Sequence, residues 1–281
     1  MTVSTKKFDL CVIGAGPGGY VAAIRASQLG LKVGIIEANH LGGICLNWGC
    51  IPTKALLKSS EVNHLLQNLE EYGFSSKETK FDFSKIIERS RGVSKKLSGG
   101  IGGLLKKNKV EIVDGFAKFI SPKKVSVSKD GKEFVQVEAA NFIIATGARA
   151  RVIPGMEPDG ESIWTYREAL TPKALPKSLL VVGSGAIGVE FASFYKNMGS
   201  EVTIVEMAPN ILPVEDEEIS KMARKSFEKD GIKIITSAGL KSLKKSKKEV
   251  TATVEIAGKT QEIKAEKVIM AVGIVANIEN I

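Results

Sequence analysis

The chain has 281 residues, 43% of them hydrophobic and 25% charged, with a formal net charge of +9. This is the balance of a soluble globular protein long enough for two domains. No apolar run approaches the roughly 18 residues of a membrane-spanning helix, so no membrane partner is expected. The lysine clusters at 95–96, 106–109 and 241–248 have no interleaved aromatic residues, so nucleic acid is not expected as a partner either. The opening MTVSTKKFD lacks the apolar core of a signal peptide, and a first strand expected near Phe8 leaves no room for a transit sequence. The expected location is the cytoplasm, or an organelle matrix after processing.

The first element is a short apolar strand, Leu10–Ile13, running into the turn GAGPGG at 14–19. Gly14 permits the tight turn, Gly16 leaves room for a pyrophosphate to approach the backbone, and Gly19 lets the next helix pack on the strand. Pro17 suits the first helical position, where its missing donor is harmless. The helix N-terminus then offers N–H groups and a positive dipole end to the phosphates. Gly30 is placed to end the helix as a left-handed cap, and a second strand ends in Glu37, an acceptor for a ribose hydroxyl.

Next comes LGGICLNWGCIPTK at 41–54. Five residues of regular helix advance about 7.5 Å, whereas cysteines bridge only with Cα atoms within about 7 Å. A Cys45–Cys50 bridge therefore needs a broken turn, which Gly42, Gly43 and Gly49 make accessible; Pro52 limits how far a preceding helix extends. Zinc and inert thiols are the alternatives at this point. Zinc wants four ligands, and only Cys11, His40 and His64 could complete a set. Cys11 belongs to the first strand, as a small apolar group.

A helical stretch follows, then β-rich sequence with a polar turn at Lys129–Lys132, and a strand from Asn141 into Ala145-Thr146-Gly147. Arg151–Lys177, with four prolines, reads as a connection. The pattern then repeats. Gly14, Gly16, Gly19, Gly30 and Glu37 recur as Gly183, Gly185, Gly188, Gly199 and Glu206, every pair 169 positions apart. The second copy closes through a turn at Ala257–Lys259 and a strand from Lys267 into Gly273. One such motif is weak evidence, but two at equal spacing are strong. The fold class is α/β: two Rossmann-like, doubly wound dinucleotide-binding domains, 1–150 and 151–281, each with a β-meander.

GGICLNWGCIPTK, after GAGPGG and before ATG and GSGAIG, resembles the pyridine-nucleotide:disulfide oxidoreductases over the whole chain. The resemblance implies FAD on the first unit and NAD on the second, with a redox disulfide between Cys45, the interchange sulfur, and Cys50, the flavin-side sulfur. It makes Cys45, Cys50, Lys54 and Glu190 catalytic, Lys54 lying near flavin N5 and pairing with Glu190. It assigns cofactor contacts to Gly14, Gly16, Pro17, Gly18, Gly19, Glu37, Gly43, Lys54, Gly115, Thr146, Gly147, Gly183, Gly185, Ile187, Gly188, Glu206 and Gly273. A carboxylate at 206, with no arginine in 207–210, favours a free ribose 2′-hydroxyl and hence NAD. Within the family this resembles the dihydrolipoyl dehydrogenases, whose substrate is the lipoyl domain of a 2-oxoacid dehydrogenase complex or glycine cleavage system and which form homodimers. NADPH-linked glutathione and mercuric reductases are the alternative, and a nucleotide-binding fragment without catalysis is a third. The family pattern also includes a later flavin-contacting segment and a dimerisation domain carrying a His–Glu pair. Nothing after Gly273 matches these, so impaired activity is expected of a truncated form.

Overall fold

A computed structural model describes residues 4–279 and 281. The chain divides into two compact units that alternate along the sequence. The first takes residues up to Pro52, Arg91–Arg149 and Val275–Ile281, and the second takes Thr53–Ser90 and Ala150–Ile274. A single division at 150/151 therefore does not describe the contacts: the segment 53–90 packs with the second unit, and 275–281 return to the first.

The first unit contains β1 (Ser4–Ile13), α1 (Pro17–Gln28), β2 (Val33–Glu37), α2 (Gly43–Trp48), the start of α3 (Cys50–Gln67) and most of α4 (Phe83–Lys107). It continues with β3 (Glu111–Asp114), β4 (Phe116–Ser121), β5 (Lys124–Lys129), β6 (Lys132–Ile144) and the beginning of β7 (Ala148–Ala150). Six strands form one sheet in the order β3-β2-β1-β6-β5-β4. The first four are parallel, whereas β5 and β4 add antiparallel. The strand period of two divides β1 between two cores. Leu10 and Val12 pack with Ala23, Ala26 and Leu105 from the helices, while Cys11 and Ile13 pack with Val125, Val127 and Val137 of the meander. β1 starts four residues before the expected Phe8, because Ser4–Lys7 ladder with Val135–Glu138 of the long β6.

The second unit holds the remainder of α3 and α4, then β8 (Ile163–Trp164), α5 (Tyr166–Leu170), β9 (Ser178–Val182), α6 (Ala186–Asn197) and β10 (Glu201–Val205). After these come α7 (Glu217–Lys229), β11 (Lys233–Ile235), β12 (Ala238–Lys245), β13 (Val250–Ile256), β14 (Lys259–Ala265) and β15 (Lys267–Met270); β16 (Ile274–Ala276) starts at the last residue of this unit and continues as part of the first. Its main sheet is wholly parallel, in the order β11-β10-β9-β15-β8. The run β11-β10-β9-β15 repeats β3-β2-β1-β6, so the sequence repeat is a repeat of topology. The second meander, β12-β13-β14, is a separate antiparallel sheet covering the core of Leu180, Val182, Val268 and Met270. Both meanders turn where expected, with positive φ at Asp130 and Gly131 and at Ala257 and Gly258.

The proline-rich stretch 151–177 is more ordered than a connection. Ile163 and Trp164 bury themselves as a fifth strand beside β15. A capping box then starts α5, Thr165 Oγ1 accepting from the Arg167 N–H and the Glu168 carboxylate accepting from the Thr165 N–H. Nearby, the phenol of fully buried Tyr195 donates to the Ala169 carbonyl at 2.8 Å.

Candidate functional site

In the first unit, Gly14 has φ +99° and donates to the Ile36 carbonyl at 2.7 Å. A Cβ there would meet the Ala145 carbonyl, so the turn admits only glycine. The first bond of α1 runs from the Tyr20 N–H to the Gly16 carbonyl at 2.9 Å. Gly18 and Gly19 thus stand in the opening turn, whose N–H groups lie ahead of the helical ladder. The Glu37 carboxylate accepts from the Ala15 N–H at 2.7 Å and the Asn39 N–H at 2.8 Å. Those two bonds hold the acid beside the turn while leaving acceptor sites on both oxygens.

Gly42 and Gly43 face this turn. Gly42 donates to the Ala15 carbonyl at 2.8 Å, and a Cβ on Gly43 would lie 2.7 Å from the Gly16 Cα. Glycine backbone therefore walls both sides of the cradle. Further along the chain, Thr146 and Gly147 follow the end of the strand beside β1; the Thr146 hydroxyl donates to the Asn277 carbonyl at 2.6 Å, and Asn277 Nδ2 returns a bond to the Thr146 carbonyl at 2.9 Å. Gly115 has its own reason to be glycine: a Cβ would meet the Ser128 carbonyl oxygen at 2.7 Å and Val127 at 2.8 Å.

The second unit repeats the device. Gly183, φ +98°, donates to the Val205 carbonyl at 2.8 Å, and α6 opens with the Val189 N–H to Gly185 carbonyl bond at 3.1 Å. Ile187 and Gly188 occupy the opening turn. The Glu206 carboxylate accepts from the Ser184 N–H at 2.8 Å, the Ser184 hydroxyl at 2.7 Å and the Ala208 N–H at 2.8 Å. Gly273, φ +106°, lies three residues past the strand beside β9.

Cys45 and Cys50 are joined as a disulfide with Cα atoms 4.7 Å apart. The helix breaks between them: α2 ends at Trp48, Gly49 leaves helical space at φ −149° and ψ −116°, and α3 starts at Cys50. This is the distorted turn that the spacing demanded, and the shared bond removes the zinc and inert-thiol readings. Cys45 is half-buried against the core of the first unit, whereas Cys50 is exposed at the start of an 18-residue helix. Cys11 is fully buried, and desolvation pushes its thiol up to about 12, which leaves it chemically quiet. One turn after Cys50, the Lys54 ammonium forms an ion pair with Glu190 of α6.

Three residues that sequence reasoning passed over organise this element. Asn47 is buried; its side-chain amide donates to the Leu41 and Gly43 carbonyls, both at 2.9 Å, and its Oδ1 accepts from the Ser98 hydroxyl at 2.9 Å. The Arg91 guanidinium donates to the Asn47 carbonyl at 2.6 Å and lies over the Trp48 ring, 4.4 Å from its centroid. Asn47 offered one sequence signal, an amide in an otherwise apolar helical turn. Arg91 and Ser98 offered none.

Two copies of a dinucleotide turn, with a cysteine pair on the loop-helix that abuts the first, are the features of the nucleotide-dependent disulfide oxidoreductase class. The comparisons agree. The pyridine nucleotide-disulphide oxidoreductase family matches residues 8–281, and the chain belongs to that family. It is 52% identical to a dihydrolipoyl dehydrogenase of Rhizobium etli over 98% of this chain and 61% of that protein. It is 54% identical to one from Zymomonas mobilis, over 98% of this chain and 59% of the relative. Among solved structures, LpdA from Mycobacterium tuberculosis superposes with a TM-score of 0.87 at 26% identity, covering 99% of this chain and 60% of that one. The HOCl-induced flavoprotein disulfide reductase RclA from Escherichia coli gives 0.80 at 28%, covering 96% and 57%. The chain thus spans about 60% of the length of the curated relatives it matches. Among the described residues, no helix is long and apolar enough to cross a membrane.

Proposed function

We propose that the chain is the FAD- and NAD-carrying portion of a dihydrolipoyl dehydrogenase. One observation carries the reading: the Cys45–Cys50 disulfide sits on the segment whose Gly43 closes against Gly16 of the first nucleotide turn. A cradle that a single Cβ would fill suits a pyrophosphate, and FAD fits it. When bound, FAD supplies two-electron exchange between a nicotinamide and a disulfide.

The residues then divide the work. The α1 N-terminus at Pro17, Gly18 and Gly19, with Gly14, Gly16 and Gly43, holds the FAD pyrophosphate, and Glu37 accepts from its ribose. Gly115, Thr146 and Gly147 complete that site, and within the second unit Glu190 fixes the Lys54 ammonium. Gly183, Gly185, Ile187, Gly188 and Gly273 hold NAD. The Glu206 carboxylate favours a free 2′-hydroxyl and repels a 2′-phosphate.

Dihydrolipoamide on a lipoyl domain supplies the electrons. Its thiolate attacks Cys45, forming a mixed disulfide and releasing Cys50 as a thiolate at the N-terminus of α3, where the helix dipole stabilises it. The second substrate thiol displaces Cys45, passes it its proton and closes the lipoyl ring. Two electrons and one proton then reside on the pair, Cys45 as thiol and Cys50 as thiolate, the first substrate proton having gone to solvent. The partner is the lipoyl domain of a 2-oxoacid dehydrogenase complex or of the glycine cleavage system, the homodimer belongs to the full-length enzyme, and the location is the cytoplasm or an organelle matrix.

Two titrations test this. FAD added to the purified chain should bind with a shifted visible spectrum. NADH should then bind about tenfold or more tightly than NADPH, the difference one mismatched polar contact makes. Equal affinities would remove the reason for choosing the NAD-linked branch, and an unchanged flavin spectrum would remove FAD.

A further inference from the structure

We infer that Asn47 and Arg91 are positioning residues that set how readily the Cys45–Cys50 disulfide is reduced. This rests on the reading of that disulfide as the redox pair. In a regular helix the two Cα atoms would stand about 8.7 Å apart, of which about 7.5 Å is axial rise; here they stand at 4.7 Å, with the break at Gly49. Once the sulfur–sulfur bond opens, only the surrounding contacts keep the thiols facing each other.

Those contacts converge on the last turn of α2. Arg91 of α4 donates to the Asn47 carbonyl at 2.6 Å and covers the Trp48 ring, so both residues before Gly49 are tied to a neighbouring helix. Ser98, two turns further along α4, donates to Asn47 Oδ1 at 2.9 Å. The Asn47 amide meanwhile grips the Leu41 and Gly43 carbonyls, on the loop that touches Gly16. The pair of thiols, the nucleotide turn and α4 therefore share one buried amide. Burial lowers the pKa of Arg91 below its ordinary value, yet a guanidinium stays charged at any working pH, so its bonds are charge-assisted and short.

The consequence has a definite sign. Holding the thiols together raises their effective concentration and favours the disulfide. Loosening the clamp lets the reduced form relax, so reduction becomes easier. An arginine acting by charge alone would do the reverse, because its loss destabilises the thiolate.

The experiment equilibrates the chain with dithiothreitol, whose two thiols supply two electrons and two protons and close into a ring as the Cys45–Cys50 bond opens. The dithiol fraction is then read by alkylation and mass spectrometry. Arg91→Met and Ser98→Ala should each shift the equilibrium towards reduction, Arg91→Met by about tenfold, which for a two-electron couple is about 30 mV. Arg91→Lys should fall between wild type and Arg91→Met, because it keeps charge and loses the planar fork. Arg89→Met is the control: Arg89 donates to the Ala55 carbonyl at 2.9 Å, away from α2, and its loss should lower the melting temperature without moving the equilibrium. Ser98→Ala guards against a misfolded Arg91 variant. An Arg91→Met shift that is absent, reversed, or matched by Arg89→Met would overturn the inference. A wild-type disulfide that dithiothreitol cannot open would overturn instead the function proposed above.

Discussion

Replacing Gly19 by alanine tests whether the nucleotide turn is held by glycine for packing. A Cβ at this position would overlap the Gly14 carbonyl oxygen, and would lie 2.9 Å from the carbon of that carbonyl and 3.4 Å from Val12 Cγ1. Carbon atoms rest about 3.5–4.0 Å apart, and the Gly14 carbonyl belongs to a turn anchored at Ile36 and cannot yield. The start of α1 must therefore retreat by about an ångström or more, loosening Ala23 and Ala26 from Leu10 and Val12. Overpacking of this kind costs about 1–3 kcal/mol, which for a unit of this size lowers the melting temperature by roughly 5–10 °C. Gly18→Ala is the matched comparison. A Cβ at 18 meets nothing within 4 Å, and the residue lies in the first turn of the helix, so alanine should be neutral or stabilise by up to about 1 kcal/mol. Thermal and urea melts followed by circular dichroism measure both. Gly188→Ala, whose Cβ would lie 3.0 Å from the Gly183 carbonyl carbon, should reproduce the loss in the second unit. Equal melting of Gly18→Ala and Gly19→Ala would refute the packing argument.

The Lys54–Glu190 pair, with side chains 61% and 30% exposed, should contribute under about 1 kcal/mol, so Lys54→Met should melt within a few degrees of wild type. A larger drop in melting temperature would give the pair a structural role. Cys11 should resist iodoacetamide in the native protein even after the disulfide is reduced, so mass spectrometry should find alkylation at Cys45 and Cys50 alone until denaturant is added. Native labelling at Cys11 would contradict its burial. Asp159 should give a pH-dependent contribution. Burial opposes its ionisation, but the Lys245 ammonium and the N–H groups of Ile163, Glu161 and Ser162 outweigh it and hold the carboxyl well below its ordinary value of 3.8. Its stabilisation is present above pH about 4 and is lost as pH falls towards the lower native value. Asp159→Asn should cost about 1–3 kcal/mol at pH 7, with the gap narrowing below pH 4; a gap constant between pH 7 and pH 3 would show the carboxylate charge to be irrelevant.

The sequence alone determined what depends on local backbone chemistry. Gly14 and Gly183 sit at φ values that only glycine takes comfortably, Gly30 and Gly199 end helices at positive φ, and the turns at Asp130-Gly131 and Ala257-Gly258 close hairpins where their residues demanded. These signals act over a few residues, and duplicating them exposed the two nucleotide folds. The cysteine spacing likewise told that a Cys45–Cys50 bridge would need a broken helix, and the break falls at Gly49. What lay beyond the sequence were contacts formed across long separations by side chains with no distinctive spacing. Arg91 reaches Asn47 from 44 residues away and Ser98 from 51, because α4 happens to run beside α2. The same holds for the division of the chain. The prolines around 151–177 suggested one boundary, but burial drew the segment 53–90 into the second unit and returned 275–281 to the first. Which surface an apolar helix covers is settled by the lowest-energy packing of the whole, and that is a property no local pattern carries.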